Sequence, residues 1–382
     1  MKILILAPQP FYLDCRISLA LKTLLEALAA EGHQPTCMRY PQGKDLVIPG
    51  CQMMQVRKLP LPGFSWKKPF YSRTMAKMTD RLLQHEKFDF LIAFAGCVGL
   101  TRRLSKRYNI PYLLYLDHPI KNGTPDPSFV TTLKKWSVKR AITQSRGVLV
   151  SDDLLEDKVS QACPSAVVQR LPNVSLYDNT PKAEKTRKNT LAKPRGALTL
   201  MYLGDLSPQN GINLLIDTFS LACLEKEKLR LIILGTSTHD ISSYKTRARK
   251  LGVAGKIKFV QTKPGSDLPV FLDQADILIF PATDASILPY EFATCLDSGR
   301  PVIATRISMH NRVLDDSTAM LVNPVDSDMA VAIQQLIRDS HLKAKLAAQA
   351  KVKVVEEYSR TTYHHRLRSF FQRVSQQLIG AN

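Results

Sequence analysis

No run of about 18 apolar residues occurs in the 382 residues, so no membrane-spanning helix is expected. The opening MKILILAPQPFY is too short for a signal peptide and meets Pro8 and Pro10, so a cytoplasmic protein is expected. The seven cysteines are odd in number, scattered, and form no C-x-x-C pair. That argues against a disulfide framework or a zinc site and for a reducing compartment. His364 and His365 are adjacent, so their side chains point to different sides of a helix and make a poor metal site. No metal and no cofactor are expected. Acidic residues are in deficit: 33 Asp and Glu stand against 53 Lys and Arg, a net charge of +20. Such an excess calls for an anionic partner, whether nucleic acid, an anionic membrane or a phosphorylated substrate. No nucleic-acid-binding motif is present, so nucleic acid is not expected as the partner.

What is present is a globular composition, 45% hydrophobic and 23% charged, in a chain long enough for two domains with their own cores. Much of the positive charge is local. Residues 57–81 hold Arg57, Lys58, Lys67, Lys68, Arg73, Lys77 and Arg81 against Asp80 alone, with Phe64, Trp66, Phe70 and Tyr71 interleaved. Residues 101–146 hold ten basic side chains against Asp117 and Asp126. Basic and aromatic residues mixed in this way suit an anionic membrane surface; an ordinary solvated basic face is the alternative.

The element order is α/β. Lys2–Ala7 reads as a buried strand, followed by a loop to Arg16, a helix over 18–31 ended by Gly32, and a strand over 34–40. This βαβ opening is that of a Rossmann-like half. Later come a basic helix over 71–85 and strands over 88–94 and 112–116. A basic helix over 129–145 and strands over 147–151 and 167–171 follow. Residues 178–196 are polar, basic and hold two prolines, as an interdomain linker would. A second half then opens with a strand over 198–203, the loop Gly204-Asp205-Leu206-Ser207-Pro208-Gln209-Asn210-Gly211, and a helix to Leu224. A strand running into Gly235 and another over 256–260 come next. The unit around which the chain is arranged spans 275–325: strand 277–280, a polar loop, a helix over 287–298 stopped by Gly299, and strand 301–305. In such parallel units the ligand crevice lies beyond the carboxyl ends of the strands.

The phrases ADILIFP, LP, DSGRPVIAT and VLDD in that segment resemble the donor-sugar region of GT-B glycosyltransferases, in particular the retaining group called family 4. The resemblance extends over most of the chain. It implies two Rossmann-like domains facing across a cleft, with acceptor domain 1–177, linker 178–196, donor domain 197–358 and a crossover helix in 359–382. It also implies roles by position. His118, at the end of strand 112–116, would face the reacting sugar; a loop histidine with no role is the alternative. Phe11, in the first loop, would meet the acceptor; Arg16, where this chain departs from the relatives' Gly-Thr-Pro, could reach an anionic acceptor with its guanidinium fork or be a surface residue at a helix start. Gly204, Asp205, Asn210, Gly211, Gly235, Ser286, Ile287, Leu288, Glu291 and Thr294 would line the donor. Asp205 and Asn210 stand where relatives have the Arg and Lys that grip the diphosphate, and Ser286 and Thr294 stand where relatives have two glutamates. Lys263, Arg300 and Arg306 are the cations that could compensate. Glu291 could supply a carboxylate or be an exposed helix residue. The implied activity is transfer of a hexose from a nucleotide-diphosphate sugar to a cell-envelope glycan or lipid-linked acceptor, with retention. The alternative is a catalytically degenerate relative that serves as a binding or assembly module, which the residues at positions 205, 210, 286 and 294 would favour.

Overall fold

The computed structural model describes residues 1–8, 16–41, 47–57, 68–94, 96–117, 120–121, 124–125, 136–177, 196–225, 228–235, 240–261, 268–284, 288–289 and 291–379, with the backbone alone at the ends of several elements. The chain divides into two compact units. The first comprises Met1–Pro119, Asp126–Asn173 and Arg360–Asn382; the second comprises Ile120–Pro125 and Val174–Ser359. The division at Asn173 lies four residues before the expected boundary at 177, and the expected linker, 178–196, lies almost wholly outside the described residues.

In chain order, the first part runs β1 (Lys2–Ala7), α1 (Arg16–Ala30), β2 (Gln34–Arg39), β3 (Gln52–Gln55), α2 (Lys68–His85), β4 (Phe90–Phe94), α3 (Val98–Tyr108) and β5 (Tyr112–Leu116). It continues with the short pair β6 (Ile120–Lys121) and β7 (Thr124–Pro125), α4 (Trp136–Gln144), β8 (Gly147–Val150), α5 (Asp153–Ala162) and β9 (Val168–Arg170). Seven strands form one parallel sheet in the order β3-β2-β1-β4-β5-β8-β9. Its central strands are buried along their whole length, as apolar runs covered on both faces must be. Helix α5 is capped by Asp152, whose carboxylate accepts from the Leu155 N–H at 3.0 Å.

The second part runs β10 (Leu198–Gly204), α6 (Ile212–Glu225), β11 (Leu229–Gly235), α7 (Ser242–Lys250), β12 (Ile257–Gln261), α8 (Leu268–Leu272), β13 (Ile277–Phe280), α9 (Phe292–Asp297) and β14 (Val302–Thr305). Then follow α10 (Ser308–Asn311), β15 (Met320–Val322), α11 (Asp326–Arg338), α12 (Ser340–Glu357) and α13 (Arg360–Ile379). Six strands make a parallel sheet ordered β12-β11-β10-β13-β14-β15. The order reverses between β10 and β13, which opens a crevice at their carboxyl ends.

Helix α13 belongs to the first unit. Phe370 and Val374 pack so tightly on Gly147 that a Cβ there would lie 2.6 Å from the Phe370 ring. Phe371 meets His33 and Phe90 at ring separations of 5.2 and 6.1 Å. Arg368 makes a two-pronged contact to Glu31 at 2.8 and 3.0 Å, His364 joins it at 3.1 Å, and Arg360 pairs with Glu26 at 3.1 Å. The Arg368 guanidinium, with help from His364, holds the Glu31 carboxyl below its usual range against the opposing effect of burial.

Two helices differ from expectation. The helix expected over 287–298 is seen from Phe292 to Asp297, with residues 287 and 290 outside the described residues. Pro289 disfavours helical backbone at Leu288 and has no N–H to give, so the helix begins after it. The basic helix expected over 129–145 is seen from Trp136 to Gln144, and residues 126–135 lie outside the described residues.

Candidate functional site

At the carboxyl ends of β10 and β11, Gly204 and Gly235 are paired in register, and each makes a close approach. A Cβ on Gly235 would lie 2.7 Å from the Leu206 side chain, and one on Gly204 would lie 2.8 Å from the Tyr202 hydroxyl. Gly211 closes the loop with φ +73°, and a Cβ on it would lie 1.8 Å from the carbonyl oxygen of Pro281 at the end of β13. Only glycine fits there, because both the backbone conformation and the space exclude a side chain. The three glycines thus bring the loop 204–211 down onto the ends of β10, β11 and β13.

Asp205 and Asn210 spend their polar groups on this loop. The Asp205 carboxylate accepts from the Ser207 N–H at 3.0 Å. The Asn210 amide donates to the Asp205 carbonyl at 3.1 Å and to the Ser207 hydroxyl at 3.0 Å. The Tyr202 hydroxyl donates to the same Asp205 carbonyl at 2.5 Å. Loop 204–211 is therefore held by its own side chains, in the way Asx-type turns are. It then hands over to α6, a helix of 14 residues with no acid in its first turn. The first N–H groups of such a helix have no intrahelical acceptor and favour an anion.

The second loop is tied to the first. The Thr283 N–H donates to the Gln209 carbonyl at 3.0 Å, with the Asp284 N–H at 3.4 Å. The Thr305 hydroxyl, at the end of β14, donates to the Ala282 carbonyl. His310 is buried behind it, with Nδ1 at 2.7 Å from the Thr305 carbonyl. A carbonyl can only accept, so Nδ1 carries the hydrogen. Burial drops the His310 pKa to about 4, so the ring is neutral at pH 7.

Glu291 is buried, not exposed, and stands at the N-terminus of α9. Burial first, then the negative charges of Asp205 and Glu291, push the Tyr202 phenol well above its usual range. Leu288 packs against the core cluster that contains Phe292. Thr294 does not join this group. It is fully buried, and its hydroxyl accepts from the Leu176 N–H at 3.0 Å, while Ser175 donates to Asp297 at 2.6 Å. Thr294 anchors the segment that enters the second unit and is not available to a donor sugar.

The compensating cations are also placed differently from expectation. Arg300 precedes β14 at the amino end of the sheet, where it donates to the Asp273 carbonyl at 3.2 Å. Arg306 follows β14 at the carboxyl end but turns to Asp316 at 2.7 Å and the Leu321 carbonyl at 3.1 Å. Phe11, His118, Lys263, Ser286 and Ile287 lie outside the described residues, and Arg16 opens α1 with its side chain undescribed. Tyr202, Gln209, Thr283, Thr305 and His310 were not singled out from the sequence; a Thr and a His five residues apart carry no motif by themselves. Among the described residues no group of three or more His, Cys, Asp or Glu could hold a metal ion.

The second unit is similar to known proteins across this region. Residues 197–339 match the family described as glycosyl transferases group 1. The chain is 22% identical over 302 residues to a lipopolysaccharide 1,2-N-acetylglucosaminetransferase of Salmonella typhimurium, covering 76% of this chain and 74% of that protein. It is 25% identical over 281 residues to a D-inositol 3-phosphate glycosyltransferase of Actinosynnema mirum, covering 67% of this chain and 65% of the relative. The solved structure of Anabaena HepE in complex with UDP superposes with a TM-score of 0.74 at 16% identity, over 97% of this chain and all of that one. HepE has also been solved with UDP-glucose. With two Rossmann-like parallel sheets and this structural likeness, the chain has the GT-B fold, and residues 197–339 are the part of it that matches the glycosyl transferases group 1 family.

Proposed function

We propose that the protein transfers a hexose from a nucleotide-diphosphate sugar to a cell-envelope glycan or lipid-linked acceptor, with retention of configuration. The observation that carries the donor half of this reading is the convergence of Gly204, Gly211 and Gly235 at three strand ends, followed directly by the N-terminus of α6. Close-approach glycines and unpaired helical N–H groups are what a diphosphate needs. The complexes of HepE with UDP and UDP-glucose support the choice of ligand class. In this protein the grip on the diphosphate comes from backbone and helix dipole, because Asp205 and Asn210 are committed to holding the loop. Donors fixed in advance around the departing diphosphate would stabilise the charge that develops as the sugar bond breaks.

The acceptor half rests on the relatives and on charge. The Salmonella relative's name refers to lipopolysaccharide, an acceptor class found at a membrane. Here Arg73, Lys77 and Arg81 are exposed at helical spacing along α2, and Phe70, half exposed, heads the same stripe. Helix α3 lies beside it, tied by Tyr108 to Asp80 at 2.8 Å, and exposes Arg103, Lys106 and Arg107. This basic face fits peripheral attachment to the anionic inner surface of a membrane. No described helix is long and apolar enough to cross one.

Thermal unfolding with a panel of UDP-, GDP-, TDP- and ADP-sugars tests the donor reading. One nucleotide sugar should raise stability by about 2.7 kcal/mol at 100 times its dissociation constant. No shift with any of them at millimolar concentration would reject it and leave a binding or assembly role.

A further inference from the structure

We propose that Thr305 and His310 are positioning residues for the donor loops: together they set the affinity for the nucleotide diphosphate without touching it. The inference rests on the donor-site reading above. Thr305 holds the Ala282 carbonyl from one side. Thr283 and Asp284, the next two residues, aim their N–H groups at the Gln209 carbonyl in the other loop. Pro281, the preceding residue, forms the seat against which Gly211 is pressed. Four consecutive residues, 281–284, are thus fixed to two other segments, the end of β14 and the loop 204–211. The hydroxyl of Thr305 links β14 into this chain of bonds, and His310 locks it in orientation. His310 Nδ1 sits 2.7 Å from the Thr305 carbonyl and 3.2 Å from its hydroxyl oxygen. The ring also meets Phe280, the residue before Pro281, edge-on at 6.4 Å.

This is more than a core contact, because the group it orients is a loop and not a strand. Strand β14 keeps its own ladder to β13 and β15 without the hydroxyl. What the hydroxyl adds is one fixed position for 281–284, and through Gln209 for the loop before α6. A ligand that needs both loops in one arrangement binds more weakly in proportion to the time they spend elsewhere. The cost should fall on affinity, and it should be relieved by any side chain that restores the hydroxyl.

The test compares Thr305→Val, which keeps shape and loses the donor, with Thr305→Ser, which keeps the donor. Binding of UDP and of GDP is measured by calorimetry, alongside melting temperature and backbone amide exchange. We expect wild type to bind one of the two, Thr305→Ser to stay within about threefold, and Thr305→Val to weaken about tenfold. In Thr305→Val the amides of Thr283 and Asp284 should exchange about tenfold faster while those of β10 stay unchanged. Binding by folded Thr305→Val within twofold of wild type would overturn the positioning role. If Thr305→Val does not fold, Thr305→Cys, a weak donor of similar size, decides in its place: a loss of threefold or more supports the role and a loss under twofold overturns it. Wild type that binds neither is tested with TDP and ADP in the same way, and binding to none of the four removes the donor-site reading itself, and the positioning role with it.

Discussion

Gly211 is pressed against Pro281 so closely that a Cβ at 211 would lie 1.8 Å from the Pro281 carbonyl oxygen. The contact joins the loop after β10 to the end of β13, across the point where the strand order reverses. Gly211→Ala meets two penalties at once, a left-handed backbone and a direct clash. The first costs about 1 kcal/mol and the second forces the loop to shift. We expect a stability loss of about 2 kcal/mol or more in urea unfolding, and loss of the thermal shift with nucleotide sugar. A variant that keeps wild-type nucleotide binding would show that the two loops can separate without consequence.

Restoring the residue that relatives carry at 210 should not help. Asn210 donates to the Asp205 carbonyl and the Ser207 hydroxyl, and lysine cannot reproduce that geometry in the same turn. Asn210→Lys should lose about 1–2 kcal/mol of stability, the worth of two neutral hydrogen bonds. Its affinity for UDP should not rise, because the cation is gained at the expense of loop order. Tighter UDP binding at unchanged stability would show that this loop tolerates the relatives' grip.

The buried His310 makes stability depend on pH. Its folded pKa is about 4, against about 6.5 in an unfolded chain. Between these values the unfolded state binds a proton that the folded state refuses, so stability falls as pH drops from about 6.5 to about 4 and is level below that. The full loss from this group is about 3 kcal/mol. Urea unfolding at pH 7, 5.5 and 4 should show the decline, and His310→Gln should flatten this part of it. An unchanged profile in His310→Gln would place the acid sensitivity elsewhere.

Much of the second sheet was legible. Strands β10, β11, β13 and β14 are apolar runs bounded by Gly204, Gly235, Pro281 and the polar residues after Thr305, and their burial follows from that pattern. The glycines at 204, 211 and 235 were legible as donor-loop positions through the resemblance; what each of them approaches came from the structure. What each side chain touches was not. Thr294 bonds to Leu176, 118 residues away, and no local pattern announces such a partner. The charge lost at Asp205 and Asn210 read as a loss to the ligand; the structure turns it into a gain for the loop. Strand β3, QMMQ, carries no apolar run and is only partly buried, so its pairing with β2 decides its state. Helix α7 is polar enough to read as loop, and it is Tyr244 and Ala248 that it buries.

The basic face offers the last prediction. Arg73, Lys77, Arg103 and Lys106 are exposed on α2 and α3, whereas Arg107 is paired with Asp80 at 3.0 Å and counts for less. Each basic residue near an anionic bilayer contributes about 1 kcal/mol. Reversing all four to Glu should therefore lower partitioning onto vesicles of phosphatidylglycerol and phosphatidylethanolamine by about a thousandfold or more, with little effect on stability because the four are exposed. Sedimentation with vesicles reads this directly, and raising salt from 0.1 to 0.5 M should reproduce part of the loss in wild type by shortening the screening length. Wild type that stays in the supernatant at low salt would assign the positive charge to a soluble anionic acceptor instead of a surface. Phe70→Ser separates the remaining cases: if the exposed ring enters the headgroup layer, its removal weakens binding in a way that salt does not mimic.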